Sequence, residues 1–393
     1  MASTLTGRQA VVVGAGMAGL PAARVLADFF EQVVVLERDT LPADASHRTG
    51  TPQGWHTHLL LGGGQRALSE LFPRFGQDLA AAGAVPFRVG LDLRLERPGF
   101  DPFPVRDLGL VTFAMSRPLI EATVRRRVRQ YANTSIREHC RALELVSSSD
   151  GAVVSAIRFE NRGGEAETLM AELIVEASGR GYLTSSVLDS IGRPRPEDTI
   201  IGVDITYATA VFAIPDDAPA DWTGVMTFDS PDRGGLGGIM LPLEGNRWIV
   251  TLVGRHGEKP PDDRDGFLAY VQQLRTPTIY NAINKAEQFG KITRFGFPAS
   301  ARRHFDRLAE FPRGLLPLGD AICRFNPVYG QGRSVAAQEA CLLRELLERG
   351  AAEPEPLAGL ATDFLAEAAL LIETPWSLVP LHRGLDGLLV VSA

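Results

Sequence analysis

A chain of 393 residues exceeds the needs of one small core and points to two closely joined domains. Its net charge of −7, with 45% hydrophobic and 22% charged residues, is an ordinary globular balance and argues against a binder of nucleic acid, which is usually basic. The cysteines Cys140, Cys323 and Cys341 lie far apart without metal-ligand spacing, so a reducing cytoplasm without disulfides is expected, and neither a signal segment nor a membrane-spanning run is read.

In chain order, residues 9–13 are β-rich and end in Gly14-Ala15-Gly16-Met17-Ala18-Gly19. A helix over 20–27 and a strand over 32–36 follow, the compact spacing of a strand–turn–helix–strand unit. Residues 41–64, rich in Gly, Pro and His, read as irregular and too polar for core. A helix is expected over 117–131; its run Arg125, Arg126, Arg127 and Arg129 reads as a solvated face. Segments 142–146 and 153–160 form a hairpin across a Ser-Ser-Ser-Asp-Gly turn, and an apolar strand over 171–177 ends at Ser178-Gly179. Residues 200–255 alternate between Gly-rich turns, as an antiparallel sheet does. A short buried strand over 314–318 stops at Gly319-Asp320, and a loop to Gly332 precedes a long helix over 334–348. A linker over 351–356 leads to a final helical stretch. Nucleotide-type signals thus sit at both ends of the chain with sheet between them. The expected fold is α/β: a discontinuous Rossmann-like domain (1–84, 112–180 and 305–350), an inserted antiparallel-sheet substrate domain (85–111 and 181–304) and a C-terminal helical segment (351–393).

In the first motif, Gly14 permits a tight turn, Gly16 lets a pyrophosphate approach the backbone, and Gly19 lets helix and strand pack closely. The helix N-terminus adds unpaired N–H groups and positive potential. Glu37 closes the second strand eighteen residues after Gly19, where a carboxylate accepts ribose hydroxyls and disfavours a 2′-phosphate. FAD or NAD is the expected ligand. The second motif decides for FAD. Asp320 ends an apolar strand where it can accept hydrogen bonds from a polyol, and the amides of Gly330, Gln331 and Gly332 open a helix that can stabilise charge on a reduced flavin.

Together, Gly14–Gly19, Gly319-Asp320 and Asn326-Pro327-Val-Tyr-Gly-Gln-Gly332 resemble the group A flavoprotein monooxygenases of the para-hydroxybenzoate hydroxylase fold. The segment Arg48-Thr-Gly-Thr-Pro-Gln-Gly-Trp-His56-Thr-His58 is similar to a bacterial branch that includes polyether epoxidases and is distantly similar to squalene epoxidase. The resemblance implies that Gly14, Gly16, Met17, Ala18, Gly19 and Glu37 hold the ADP half of FAD, with Arg38 flanking the adenosine. Arg48 reaches the pyrophosphate or ribityl region, and Gly50, Thr51, Pro52 and Gln53 border the isoalloxazine. Arg117 contacts phosphate or ribityl oxygens; Gly319 and Asp320 take the ribityl side; Pro327, Gly330, Gln331 and Gly332 line the ring. It further implies oxygen transfer from a flavin hydroperoxide to an olefinic or aromatic small molecule, with O₂ as co-substrate.

Two positions depart from the family pattern. Ser178-Gly179-Arg180 stands where an Asp-Gly motif is usual, which puts direct use of NAD(P)H in question and raises a separate flavin reductase as partner. Arg333 follows Gly332 where an apolar residue is usual, and could serve an anion or face solvent. His56 and His58 lack a third ligand at metal spacing, so loop hydrogen bonding is the favoured reading over metal binding or active-site lining. Arg302, Arg303 and His304 read as a surface cluster or a cavity edge, and Trp376 as a packing anchor. No residue is nominated as catalytic. A flavin dehydrogenase or reductase and a non-catalytic flavoprotein remain the alternatives; the halogenases of this fold are disfavoured by the absence of a Trp-x-Trp-x-Ile-Pro stretch.

Overall fold

The computed structural model describes residues 5–381 apart from 98, 100, 102, 220, 229–236 and 256, together with 390–392. The Gly-rich turn near 233–236 and the 382–389 part of the expected C-terminal helical segment lie outside the described residues.

The first unit is β1 (Gly7–Val13), α1 (Gly19–Leu26) and β2 (Phe30–Leu36). A five-stranded parallel sheet grows around it, in the order Leu315–Pro317, Leu173–Glu176, β1, β2, Thr134–Arg137. Side chains of a strand alternate between faces, and here both faces are covered. Val12, Val33, Val35 and Val175 pack with α1 and the helices Arg117–Val128 and Gln331–Gly350, whereas Val11, Val34, Leu36 and Ile174 pack against Ile157 and Phe159 of a small antiparallel sheet. That covering explains the continuous valine runs. The strand order reverses between β1 and Leu173–Glu176, and open α/β sheets bind ligands at the carboxyl ends of such a switch point.

The second layer is an eight-stranded sheet whose centre is the strand Asp198–Ala213, paired antiparallel to Arg247–Arg255 and Gln288–Arg303. The sheet is not wholly antiparallel, because Leu93–Glu96 joins Gly224–Thr227 in parallel. One face is apolar: Ala208, Ala210, Phe212, Val250 and Leu252 pack on Phe267, Val271, Ile279 and Ile283 of two helices. The opposite face carries Tyr207, Thr209 and Thr251, buried all the same.

The expected hairpin gains a third strand, Ala166–Met170. Residues 41–64 are less exposed than their polarity suggests. Leu41, Thr51, His56 and Leu60 are buried, because side chains satisfy the loop's backbone: Gly50 N donates to Asp39 and Thr57 N to Thr251. The arginine run is a solvated face only in part, with Arg126 and Arg129 exposed. Arg125 is buried and donates to the Pro42 and Asp44 carbonyls, while Arg127 pairs with Asp78 and Arg129 with Glu138. Arg302 and His304 are likewise buried; Arg302 holds Glu373 of the terminal helix Leu360–Leu381 at 2.7 Å. Trp376 on that helix meets Phe325 edge-on, as a packing anchor does. Val390–Ser392 adds a strand beside Asp198–Ala213, so the C-terminal segment is not helical throughout. Among the described residues no helix is long and apolar enough to cross a membrane.

A Cβ on Gly19 would lie 1.9 Å from the Gly14 carbonyl oxygen, whereas one on Gly16 meets only Arg48 Nη2 at 3.9 Å. Gly19→Ala is therefore expected to cost at least about 2 kcal/mol, since backbone must move, and Gly16→Ala less than about 0.5 kcal/mol. Urea unfolding of the ligand-free protein measures both. Equal losses would show that the Gly19 contact does not set the helix–strand distance.

Candidate active site

Three groups of residues converge at the carboxyl ends of the parallel strands. The first is the glycine turn. Gly14 has φ +103°, and a Cβ there would stand 2.7 Å from the Ala177 carbonyl, so only glycine fits beside the neighbouring strand. Gly16 leaves the turn open on the side where Arg48 lies. Ala15 N and Asp39 N donate to the two oxygens of Glu37 at 2.8 and 3.0 Å, fixing the carboxylate at the end of β2. Met17 is core, and Ala18 packs against Gly319: a Cβ at that position would come within 2.8 Å of the Ala18 Cβ. The front and back motifs are thus in contact.

Arg48 is the hub of the second group. Its guanidinium stands 2.8 Å from Asp39, 3.3 Å from Glu37 and 2.7 Å from Glu121, and all four side chains are at most 11% exposed. Burial alone would lower its pKa; the Glu121, Glu37 and Asp39 carboxylates outweigh this and hold it above the ordinary value. Arg117, which opens its helix after the Ser116 cap, reaches the other oxygen of Glu121 at 3.3 Å. Asp39 also accepts from Gly50 N, and the Thr51 amide donates to the Arg48 carbonyl, which leads into the short turn Pro52–Trp55. Gln53 offers its carbonyl to His58 Nε2 at 2.9 Å. Of the expected site residues Arg38 stands apart, at the surface with a 3.8 Å approach to Asp39.

The back motif forms the third group. Asp320 faces Gly332, whose Cβ position is 3.6 Å from the carboxylate. Burial raises the Asp320 pKa against the opposing pull of Arg117, Arg324 and Arg303. Asn326 caps the turn Pro327–Tyr329 by accepting from Val328 N, and Gly330, at φ +65°, hands the chain to the helix Gln331–Gly350. At the start of that helix Gln331 Oε1 and Ser334 Oγ are buried without a partner among the described residues. Arg333 is only partly exposed. It donates to the Leu59 carbonyl at 2.9 Å, and burial together with Arg117 pulls its pKa down to about 9.

Opposite this loop lies the polar face of the large sheet, which the sequence reading missed. Tyr207, Val253 and Phe295 cluster with Val328. Beside them His56 Nδ1 meets Thr209 Oγ1 at 2.7 Å, Thr209 meets Thr251 at 2.7 Å, and Thr251 meets Thr57 at 2.7 Å. Among the described residues His56 Nε2, Thr293 Oγ1 and Arg255 Nε are buried with no partner, and Tyr207 Oη lies against the Val328 backbone without a full hydrogen bond. Buried polar groups are rarely left unpaired, so this concentration marks a surface built to meet something else. The signal available in the sequence was Tyr207-Ala-Thr209-Ala, polar residues alternating with alanine within the strand. His56 and His58 bond to different partners, Thr209 and the Gln53 carbonyl. Ser178 donates to Glu176, which also accepts from Leu183 N and Thr184 N and so caps the helix Tyr182–Ser190. A groove of about 680 Å³ lined by Thr6, Arg8 and Glu31 lies at the opposite, amino end of β1 and β2, away from all of these groups.

Replacing Arg48 with Met leaves three buried carboxylates without their shared cation. We expect a loss of about 3–5 kcal/mol in denaturant unfolding, the range for breaking a buried pair from one side. A loss below about 1 kcal/mol would mean that the cluster is already solvated.

No family model matches the chain. Protein Rv3254 of Mycobacterium tuberculosis (strain ATCC 25618 / H37Rv) is 34% identical over 346 residues, 86% of this chain and 73% of that protein. Squalene epoxidase 4 of Arabidopsis thaliana is 23% identical over 348 residues, 86% of this chain but only 61% of the plant enzyme. Among solved structures PqsL of Pseudomonas aeruginosa, assigned as an FAD-dependent monooxygenase, superposes with a TM-score of 0.67 at 16% identity, over 96% of this chain and 97% of that one. Set beside the two motifs in contact at the switch point, these likenesses carry one conclusion: the chain belongs to the same family as Protein Rv3254 and has the fold of FAD-dependent monooxygenases such as PqsL.

Proposed function

We propose that this chain is an FAD-dependent monooxygenase that inserts one oxygen atom from O₂ into an electron-rich small organic molecule of secondary metabolism, by epoxidation or hydroxylation. The observation that carries the reading is the convergence of the Gly16 turn, the Asp320–Gly332 contact and the polar face around His56 at one switch point. The residues fit the cofactor. The turn at Gly16 is open where a pyrophosphate approaches, and the next group beyond it is the Arg48 cation. Glu37 retains lone pairs for a ribose beyond those on the Ala15 and Asp39 amides. Gly50 to Gln53, Arg117 and Asp320 follow along the dinucleotide, and Gln331, whose Oε1 has no partner among the described residues, opens the helix at its ring end.

Bound FAD supplies the electron transfer and oxygen activation. The chain's own part is to hold the ligand, exclude water and stabilise charge. The opening amides of the Gln331–Gly350 helix favour an anion before them. Tyr207, Phe295 and Val328 provide an apolar wall that keeps water from the reacting atoms. Because Ser178 serves the Glu176 cap and offers no carboxylate, we assign the reducing equivalents to NAD(P)H acting through a separate flavin reductase.

Two measurements test this. Gly16→Val places two methyls in the open side of the turn, so FAD affinity should fall at least about a hundredfold while the fold is retained; undiminished binding to a folded variant would remove the turn from the site. With a reductase supplying reduced flavin and a panel of olefins and aromatics, ¹⁸O₂ should leave one labelled atom in the product. Turnover that is equally fast without oxygen, or unlabelled product, would assign the chain to the dehydrogenases or reductases.

A further inference from the structure

The helix Gln331–Gly350 meets the back motif at three points on one stripe of its surface, spread over two turns. At its start a Cβ on Gly332 would stand 3.6 Å from the Asp320 carboxylate. One turn on, the Ala336 Cβ is 3.7 Å from the Cβ position of Gly319. At the second turn Glu339 Oε2 accepts from Gly319 N at 2.6 Å. Gly319 opens the short turn Gly319–Ala321, whose first amide finds no acceptor within the turn, so Glu339 is the group that satisfies it. Glu339 has 0% exposure, and its Oε1 has no partner among the described residues.

A carboxyl so placed keeps a proton on Oε1. Burial pushes its pKa up to about 8, opposed by the Gly319 amide and aided by Asp320. Two titratable groups face it. Burial raises Asp320 against the pull of Arg117, Arg324 and Arg303, and burial with Glu339 and Asp320 pushes the Cys323 thiol up, so the thiol stays neutral. Charged groups on the other elements packed against the helix have partners of their own. Arg24 of α1 pairs with Asp28, Glu70 of the helix Gly62–Leu71 with Arg344, and Glu367 and Glu373 of the terminal helix with Arg349 and Arg302. Arg66 and Asp363 on the same elements are exposed. Asp320 and Glu339 therefore titrate as a coupled pair, in which Asp320, favoured as an anion by three guanidinium groups, ionises first.

We propose that Glu339 is a positioning residue for the cofactor, acting through Gly319 and Asp320, and that a proton on its Oε1 is required for tight FAD binding, so that loading takes up a proton. This deepens the cofactor part of the reading above and rests on it. In the neutral form Oε2 keeps the Gly319 amide in place, and the negative charge at the turn is that of Asp320, the expected acceptor for a polyol. In the ionised form a second buried anion stands behind Asp320, and a dinucleotide brings further negative charge to the same turns. Each anion then raises the cost of the others. FAD thus binds the protonated form better and moves the loss of that proton to higher pH. The proton comes from solvent and returns to it when FAD leaves; no other bond changes.

The test titrates the full chain, freed of flavin, with FAD at several pH values by flavin fluorescence. Calorimetry at about pH 8.5, in two buffers of different ionisation enthalpy, counts the protons taken up. Glu339→Gln keeps an acceptor for Gly319 N but holds no titrating proton, so its affinity at neutral pH should stay within about threefold of the parent's. From about pH 7 to about pH 9 the parent's affinity should fall about tenfold more than that of Glu339→Gln, and at about pH 8.5 the parent should take up about three-quarters of a proton more per FAD. Arg333, with its pKa near 9, adds a fall of its own that is common to both proteins and cancels in the comparison. Glu339→Met, of similar length, leaves Gly319 N unpaired and should bind at least about tenfold more weakly at neutral pH. A merely structural role would not separate affinity from proton uptake in this way, and Glu339→Gln carries the test alone should the Met variant not fold. The proposal is overturned if the parent and Glu339→Gln take up equal numbers of protons, if their affinities fall alike with pH, or if Glu339→Gln binds as weakly as Glu339→Met. In each of those outcomes FAD is bound and the cofactor reading stands, whereas a chain that takes up no FAD at any pH overturns both.

Discussion

The ion cluster around Arg48 ties together pieces of chain that have no other reason to meet. Glu37 ends β2, Asp39 begins the following loop, Arg48 lies within it, and Glu121 belongs to the helix Arg117–Val128. Two guanidinium groups, Arg48 and Arg117, face three carboxylates in a nearly dry setting. Such clusters gain little net stability over apolar packing, because desolvation offsets the attraction. What they give is geometry: each oxygen and N–H has a fixed direction, so the loop that borders the site is held by charge and not by side-chain volume. The surplus carboxylate has a further consequence. A phosphate brought to Gly16 adds negative charge beside Glu37 and Asp39, and Arg48 is the buried cation between them. The residue that holds the loop is thus also the group met on the open side of the Gly16 turn.

A second constraint is the unequal treatment of the two faces of the large sheet. Both are buried, yet one is Ala, Phe, Val and Leu packed on helices, and the other is Tyr, Thr and Thr with several unsatisfied polar atoms. Leaving a buried donor or acceptor unmade costs about 1–3 kcal/mol. The chain concentrates that cost on the face opposite the Pro327–Tyr329 turn, beside the motifs in contact at Ala18 and Gly319. Strain of this kind is retained where a ligand relieves it.

Much of the fold was legible because it depends on short-range rules. The Gly14–Gly19 turn, its helix and the acid at Glu37 follow from close approach and parallel-sheet burial, and the strand read over 314–318 is present, although its place beside Leu173–Glu176 was not read. The failures have a common cause. Arg125 was read on a solvated face, and Arg302 and His304 as a surface cluster or a cavity edge, but each found a carbonyl, an opposite charge or a hydroxyl from a segment distant in sequence, which no local pattern announces. The loop 41–64 was misjudged for the same reason, its amides being paired with Asp39 and Thr251. The parallel edge strand Leu93–Glu96 depends on register across some 130 residues, which alternation alone does not carry.

Position 178 shows how one substitution can be explained by its neighbour. The strand Leu173–Glu176 ends in a fully buried carboxylate whose two oxygens accept from Ser178 Oγ, Leu183 N, Thr184 N and Thr184 Oγ1. An Asp at 178 would set a second negative group against Glu176, where Ser offers a donor. The helix Tyr182–Ser190 lacks a side-chain cap of its own, its Gly181 being left-handed, so Glu176 is the group that satisfies its first turn. Glu176 and an acid at 178 are therefore competing solutions for the same turn, and this chain has taken the first. The cost falls on whatever an exposed carboxylate at 178 would otherwise have bound, while the cap keeps the strand end, and with it the Ala177 carbonyl against Gly14, in place.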